Sequence, residues 1–211
     1  EKKTNQTKLK KAIAARVILN SKSQLNINEE NISLMLGSNS HIVIYPINKK
    51  KELNVVCIMR CKKYDPDNTK QLIKDLILKQ NPQLKNLFEA EIKTWPLYFT
   101  PKILPSTNKK VFYIGDAFNG LLPTMAQGAG QSIESAYEIF NFLREDKLED
   151  SNDYFQTRLK RVKIVRKRSN LNFFAFHLST SVAQKIRNIF LKFLVKRSKF
   201  LKGYLGKVYK N

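Results

Sequence analysis

GDAFNGLLPTMAQGAGQ, Gly115 to Gln131, is the stretch that most constrains the fold of this chain. It carries four of the chain's seven glycines. An apolar run, Val111-Phe112-Tyr113-Ile114, precedes it and predicts a short buried strand. Ser132 to Leu143 follows with helical periodicity. A strand ending in Gly-Asp and a helix opening Gly-x-Gly place a loop beyond the carboxyl end of a sheet strand, where ligands bind in α/β folds. Glycines let backbone N–H groups approach a ligand with no Cβ in between. A helix N-terminus adds about half a positive charge. Asp116 is an acceptor suited to hydroxyls. Spacing alone leaves two readings open: a site for a cofactor with hydroxyls and an anionic end, or a tight strand-to-helix turn with Asp116 as a helper cap.

Around that loop the pattern predicts an α/β chain. NISLMLG, HIVIYPI and LNVVCIM are short runs rich in Ile, Val and Leu, separated by SNS and NKKKE, and predict three antiparallel strands. YDPDNT opens a helix with Leu72, Ile73, Leu76 and Ile77 on one face, stopped by Asn81-Pro82. A shorter helix is expected around Leu84–Phe88. The three prolines of IKTWPLYFTPKILPS predict an extended segment. The charged REDKLEDSND is a linker, and the remainder is helical, with stripes Phe155-Leu159-Val162 and Val182-Ile186-Ile189-Phe190-Phe193-Leu194. This divides the chain into a sheet domain over 1–100, a strand–loop–helix over 101–147 and a basic helical region over 148–211.

The net charge is +22, and residues 151–211 hold sixteen Lys+Arg against the single acid Asp153. That tail reads as a helical region decorated with solvated lysine, or as an attachment to anionic membrane through 182–210. Basic residues with interleaved aromatics are compatible with nucleic acid, but no nucleic-acid-binding motif is present. No apolar run approaches the roughly 18 residues of a membrane span. Cys57 and Cys61 on one strand stand about 13 Å apart, beyond disulfide reach. Two free thiols fit a reducing cytoplasm. No metal-ligand cluster is spaced for coordination. The only two histidines, His41 and His177, lie far apart in sequence. His41 and Tyr45, on a strand, are weak candidates for a base or a substrate contact. Trp95 reads as core.

VFYIGDAFNGLLPTMAQGAGQSIESAYEIFNFL resembles the second flavin-binding motif of the FAD-dependent aromatic hydroxylases, with the salicylate-hydroxylase-like group the most similar. Gly115, Asp116, Ala117, Pro123, Gln127, Gly128, Ala129, Ile133, Glu134 and Ala136 stand in that motif's order and spacing. HIVIYPI resembles a strand of the substrate domain, TWPLYF the stretch before the Gly-Asp strand, and YFQTRLKR the Tyr-x-x-x-Arg-x-x-Arg segment that follows. The resemblance covers most of residues 12–170. It implies a partial aromatic-hydroxylase fold, a mixed sheet forming a substrate platform, and NADH- or NADPH- and O2-dependent hydroxylation of an aromatic substrate. It also implies roles: Asp116 on a ribityl hydroxyl of FAD, Gly115 beside the pyrophosphate, Pro123 shaping the turn by the ring system, and the amides of Gly128, Ala129 and Gly130, after Gln127, facing the flavin's pyrimidine edge.

Phe118-Asn119 and Ser135 depart from the family's Ala-His and Asp. The Gly-x-Gly-x-x-Gly that holds the ADP half of FAD is missing. With Glu1 in first place, the expectation is the C-terminal part of a longer enzyme. A ubiquinone-pathway-type flavin hydroxylase, or a non-catalytic basic protein that keeps the motif as scaffold, are the alternatives. Self-association is left open.

Overall fold

The computed structural model describes residues 7–20, 30–82, 84, 85, 90–108, 110–145 and 151–209. It divides into two compact units. One comprises Lys10–Leu97 with Ala175–Asn188, and the other Tyr98–Phe174 with the residues before Lys10 and after Asn188.

The first unit is built on a five-stranded sheet. Its strands are β1 (Lys8–Asn20), β2 (Ser33–Leu36), β3 (Ser40–Ile47), β4 (Glu52–Arg60) and β5 (Lys93–Phe99), in the order β2-β3-β4-β1-β5. β2, β3, β4 and β1 pair antiparallel in turn. The three expected strands are β2, β3 and β4. The sequence marks β1 only as a basic lead into AIAARVILN. One face of the sheet carries Ile13, Ala15, Val17, Leu19, Ile42, Ile44, Leu53, Val55, Cys57 and Met59. Helix α1 (Pro66–Gln80) covers it with Ile73 and Ile77. Leu72, expected on the same helical face, is exposed. Leu84–Phe88 lies largely outside the described residues. Cys57 and Cys61 are free thiols, and burial pushes the Cys57 thiol up to about 12.

The second unit holds α2 (Gly115–Asn119), α3 (Gly128–Arg144) and most of α4 (Ser151–Phe176), and α5 (Ser181–Val195) and α6 (Ser198–Tyr209) end in it. Val111–Ile114 differs from the expected buried strand. Its backbone is extended, with φ −128° and ψ 161° at Ile114, but it carries no strand pairing, and Val111 and Ile114 are exposed. A strand is a ladder shared between two segments, and an apolar run cannot supply its own partner. The Tyr154 hydroxyl instead donates to the Tyr113 carbonyl at 2.9 Å. Trp95 also departs from its expected place in the core: it lies on the edge strand β5 and is 40 % exposed.

Candidate flavin site

The Gly-Asp loop begins with a forced choice of residue. Gly115 has φ +52°, and a Cβ there would sit 2.5 Å from Ser132 Oγ. Both facts favour glycine. α2 starts on Gly115 itself, so Asp116 occupies its first turn. The Asp116 carboxylate is exposed and makes no hydrogen bond or ion pair among the described residues. Phe118 turns inward and packs with Phe155 and Val162. Its bulk is absorbed by the core and stays out of the loop surface. Asn119 is 3 % exposed, and neither of its amide atoms has a partner among the described residues.

The next segment is tied down at both ends. Gly120 N–H donates to Thr100 Oγ1 at 2.8 Å, and Thr100 N–H to Gly120 O at 3.1 Å. Thr124 Oγ1 donates to the Ser169 carbonyl at 2.6 Å, Ser169 Oγ to the Leu122 carbonyl at 2.6 Å, and Asn172 Nδ2 to the Thr124 carbonyl at 3.2 Å. Pro123 is exposed at the start of a short 3-10 turn held by these bonds. Ala126 then adopts φ +52°, a left-handed conformation uncommon for a residue with a Cβ. It swings the chain into α3.

α3 opens without a cap. Gln127 at the N-cap position makes no side-chain capping bond. Gly128, Ala129 and Gly130 are exposed. The first amides of an α-helix have no acceptor inside the helix. A Cβ on Gly128 would meet nothing within 4 Å. The loop therefore offers a free carboxylate and a free set of N–H donors at a positive helix end. This donor and acceptor set fits a cofactor carrying hydroxyls and an electron-rich heterocycle edge.

The sequence singles out Glu134 and Tyr-x-x-x-Arg-x-x-Arg but not what joins them. Arg158 is fully buried. Its Nη1 donates to Glu134 Oε1 at 3.1 Å and to Glu138 Oε1 at 3.0 Å. Its Nη2 donates to the Gln131 carbonyl at 3.3 Å and to Gln131 Oε1 at 2.8 Å. Arg161 Nε donates to Glu134 Oε1 at 2.6 Å. α4 thereby grips the first turns of α3, just behind the exposed amides. Burial raises the Glu134 carboxyl, but Arg161 and Arg158 together outweigh it and hold the group below its usual range. At Glu138 burial wins and the carboxyl is raised.

The other candidates lie in the sheet unit. His41 and His177, 136 residues apart, meet in the interior with His41 Nδ1 3.2 Å from His177 Nε2. His177 Nε2 also lies 3.3 Å from the Ile58 carbonyl. His41 is 1 % exposed. Burial, with the His177 charge second, lowers it to about 3. The buried Arg187 (5 % exposed) reaches the carbonyls of Leu36, Gly37, Ala175 and Phe176 at 3.4–3.5 Å. It clasps the β2–β3 hairpin to the segment that carries His177. Tyr45 lies farther along the same sheet face as His41, half-buried. Among the described residues no His/Cys/Asp/Glu group is arranged to hold a metal.

The squalene epoxidase family model matches residues 2–194. The chain belongs to the squalene epoxidase family. It is 24 % identical over 163 residues to 3-amino-4-hydroxybenzoate 2-monooxygenase PtnB3 of Streptomyces platensis, covering 72 % of this chain and 41 % of that protein. Among solved structures, Klebsiella pneumoniae HpxO complexed with FAD and uric acid superposes with a TM-score of 0.76 at 12 % identity, over 98 % of this chain and 55 % of that one. A salicylate hydroxylase substrate complex superposes with a TM-score of 0.67 at 17 % identity, over 88 % and 53 %. The fold of this family member is thus that of the flavin-dependent hydroxylases, and the chain spans about half the length of the proteins it matches.

Proposed function

We propose that this chain is the substrate-platform and second flavin-binding portion of an FAD-dependent monooxygenase acting on an aromatic substrate. The observation that carries the reading is the pairing, on one loop, of the free Asp116 carboxylate with the uncapped amides of Gly128, Ala129 and Gly130. Asp116 would accept from a ribityl hydroxyl, Gly115 would let the pyrophosphate approach, and Pro123 would fix the turn beside the ring system. The α3 N-terminus would stabilise negative charge on the pyrimidine edge by preorganised N–H dipoles. When bound and reduced by NADH or NADPH, FAD supplies the oxygen-activating chemistry. The ADP-binding Gly-x-Gly-x-x-Gly would come from another segment of the intact protein. That segment would also cover the apolar side of α3, where Ile133, Tyr137 and Phe140 are exposed.

The test is flavin binding by the intact protein. Asp116→Ala should weaken FAD affinity about ten-fold or more, the scale of one lost charge-assisted hydrogen bond, read from flavin fluorescence quenching, while the far-UV circular dichroism stays unchanged. Equal affinity in the two proteins would remove Asp116 from the site and the reading with it.

No helix among the described residues is long and apolar enough to cross a membrane. We further propose peripheral attachment through α5. Its Val182, Ile186, Ile189, Phe190 and Phe193 are exposed beside Lys185, Lys192 and Lys196, the composition of an interfacial helix. Cosedimentation with vesicles containing phosphatidylserine should fall sharply in Phe190→Asp and at high salt. Binding unchanged by both would defeat the attachment.

A further inference from the structure

On the face of the sheet opposite α1, one end is closed and the other open. At the closed end His41 is buried against His177. At the open end Arg16 and Ile18 of β1 are exposed, and Val43, Tyr45 and Val56 are half-buried. Register places these on one surface: Arg16 stands opposite Val56 and Val56 opposite Val43, while Ile18 stands opposite Asn54 and Asn54 opposite Tyr45.

Arg16 is held in place on that surface. Its Nε donates to Oδ1 of Asn54 at 2.5 Å, and Asn54 is 1 % exposed. No carboxylate pairs with Arg16 among the described residues. Glu52, two residues before Asn54 on the same face of β4, accepts from Asn48 at 3.4 Å. Among the described residues the two Nη groups of Arg16 have no partner, on a guanidinium whose Nε edge is already fixed. A guanidinium in that state presents a planar fork that matches a carboxylate in bidentate fashion. The aliphatic floor of Ile18, Val43 and Val56 suits a flat ring, and Tyr45, two strands or about 10 Å away, bounds it on the far side.

We propose that Arg16, oriented by Asn54, binds the carboxylate of a ring-bearing substrate on the open part of the sheet, and so selects an anionic aromatic over an apolar hydrocarbon. The proposal rests on the monooxygenase reading above. Arg16 is the ligand-touching residue and Asn54 the positioning residue.

Benzoate, benzamide and squalene are the probes, titrated calorimetrically into the intact protein with and without FAD. Benzoate should bind about ten-fold or more tightly than benzamide, the scale of a bidentate charge-assisted pair. Arg16→Gln should bring benzoate down to the benzamide level, and Arg16→Lys should recover only part of the difference, because an ammonium is a point charge. Asn54→Ala should weaken benzoate and leave benzamide unchanged, which a general loss of structure would not do. Equal benzoate affinity in wild type and Arg16→Gln would overturn the proposal, assigning any binding to the chain's bulk positive charge. So would tighter binding of squalene than of benzoate. FAD affinity measured on the same samples separates the two levels. Intact flavin binding with Arg16-independent benzoate binding sinks this proposal alone, and a wild-type protein that binds no flavin sinks the function beneath it.

Discussion

Arg158→Met should destabilise the protein by about 3–5 kcal/mol, the range for removing one partner of a buried ion pair. The four acceptors of Arg158 are Glu134 Oε1, Glu138 Oε1, the Gln131 carbonyl and Gln131 Oε1. Glu134 keeps Arg161 when Arg158 is lost, at 2.6 Å. Glu138 keeps no ion pair among the described residues, and its Oε2 is already buried without a partner. The loss should therefore concentrate on Glu138, whose carboxyl burial already raises. Adding Glu138→Gln to Arg158→Met should return a large part of the stability, since the second change removes the stranded charge. This non-additivity is expected for residues in direct contact. Arg158→Lys should fail to rescue, because one ammonium cannot serve acceptors on two successive turns of α3. Denaturant melts of the wild type, Arg158→Met, Glu138→Gln, the double variant and Arg158→Lys provide the check. Additive losses would show that the network does not act as a unit. The same Arg158→Met protein should bind FAD more weakly, because Gln131 is the residue next to the exposed amide of Gly130.

That network is half legible in the chain. Glu134 and the arginines of YFQTRLKR stand out by resemblance, but only the fold shows that α4 uses them to hold the start of α3. The strands β2, β3 and β4 are legible because they are short runs rich in Ile, Val and Leu, set apart by SNS and NKKKE. β1 hides itself: it opens on Lys8, Lys10 and Lys11, its first buried run, Ala12 to Ala15, is mostly alanine, and a period of two begins only at Ala15. Val111–Ile114 errs the other way, since its composition is that of a strand and its pairing is not encoded locally. Of the four loop glycines only Gly115 has a positive φ, and there the chain marks the demand with a residue that has no Cβ. Ala126 makes the same demand without a glycine to mark it. The stripe on α5 is visible from spacing alone, but spacing does not say whether a face is covered, and this one is exposed. Arg16 does not stand out among 39 basic residues. Only register and the buried Asn54 distinguish it from solvated charge.

The His41–His177 contact is invisible in the sequence for the same reason of distance, and it predicts a pH dependence. His41 titrates near 3 in the folded protein, against about 6.5 in the unfolded chain. Between those values the unfolded state takes up a proton that the folded state refuses. Stability should then fall as pH falls from about 6.5 toward 3, with a slope of up to about 1.4 kcal/mol per pH unit. Carboxylates enter below about pH 5, so the clean window is about 6.5 to 5, where the loss should reach about 2 kcal/mol. Replacing the imidazole by an amide that does not titrate, His41→Gln, should flatten the curve in that window while leaving the acid limb below it. Urea melts of both proteins at several pH values across that window give the comparison. Parallel curves would mean that His41 takes up its proton in the fold as readily as in the unfolded chain, and that the packed end of the sheet opens to water. A wild-type slope that vanishes in the variant would show the imidazole held neutral. That result would keep His41 a neutral packing residue at the closed end of the sheet.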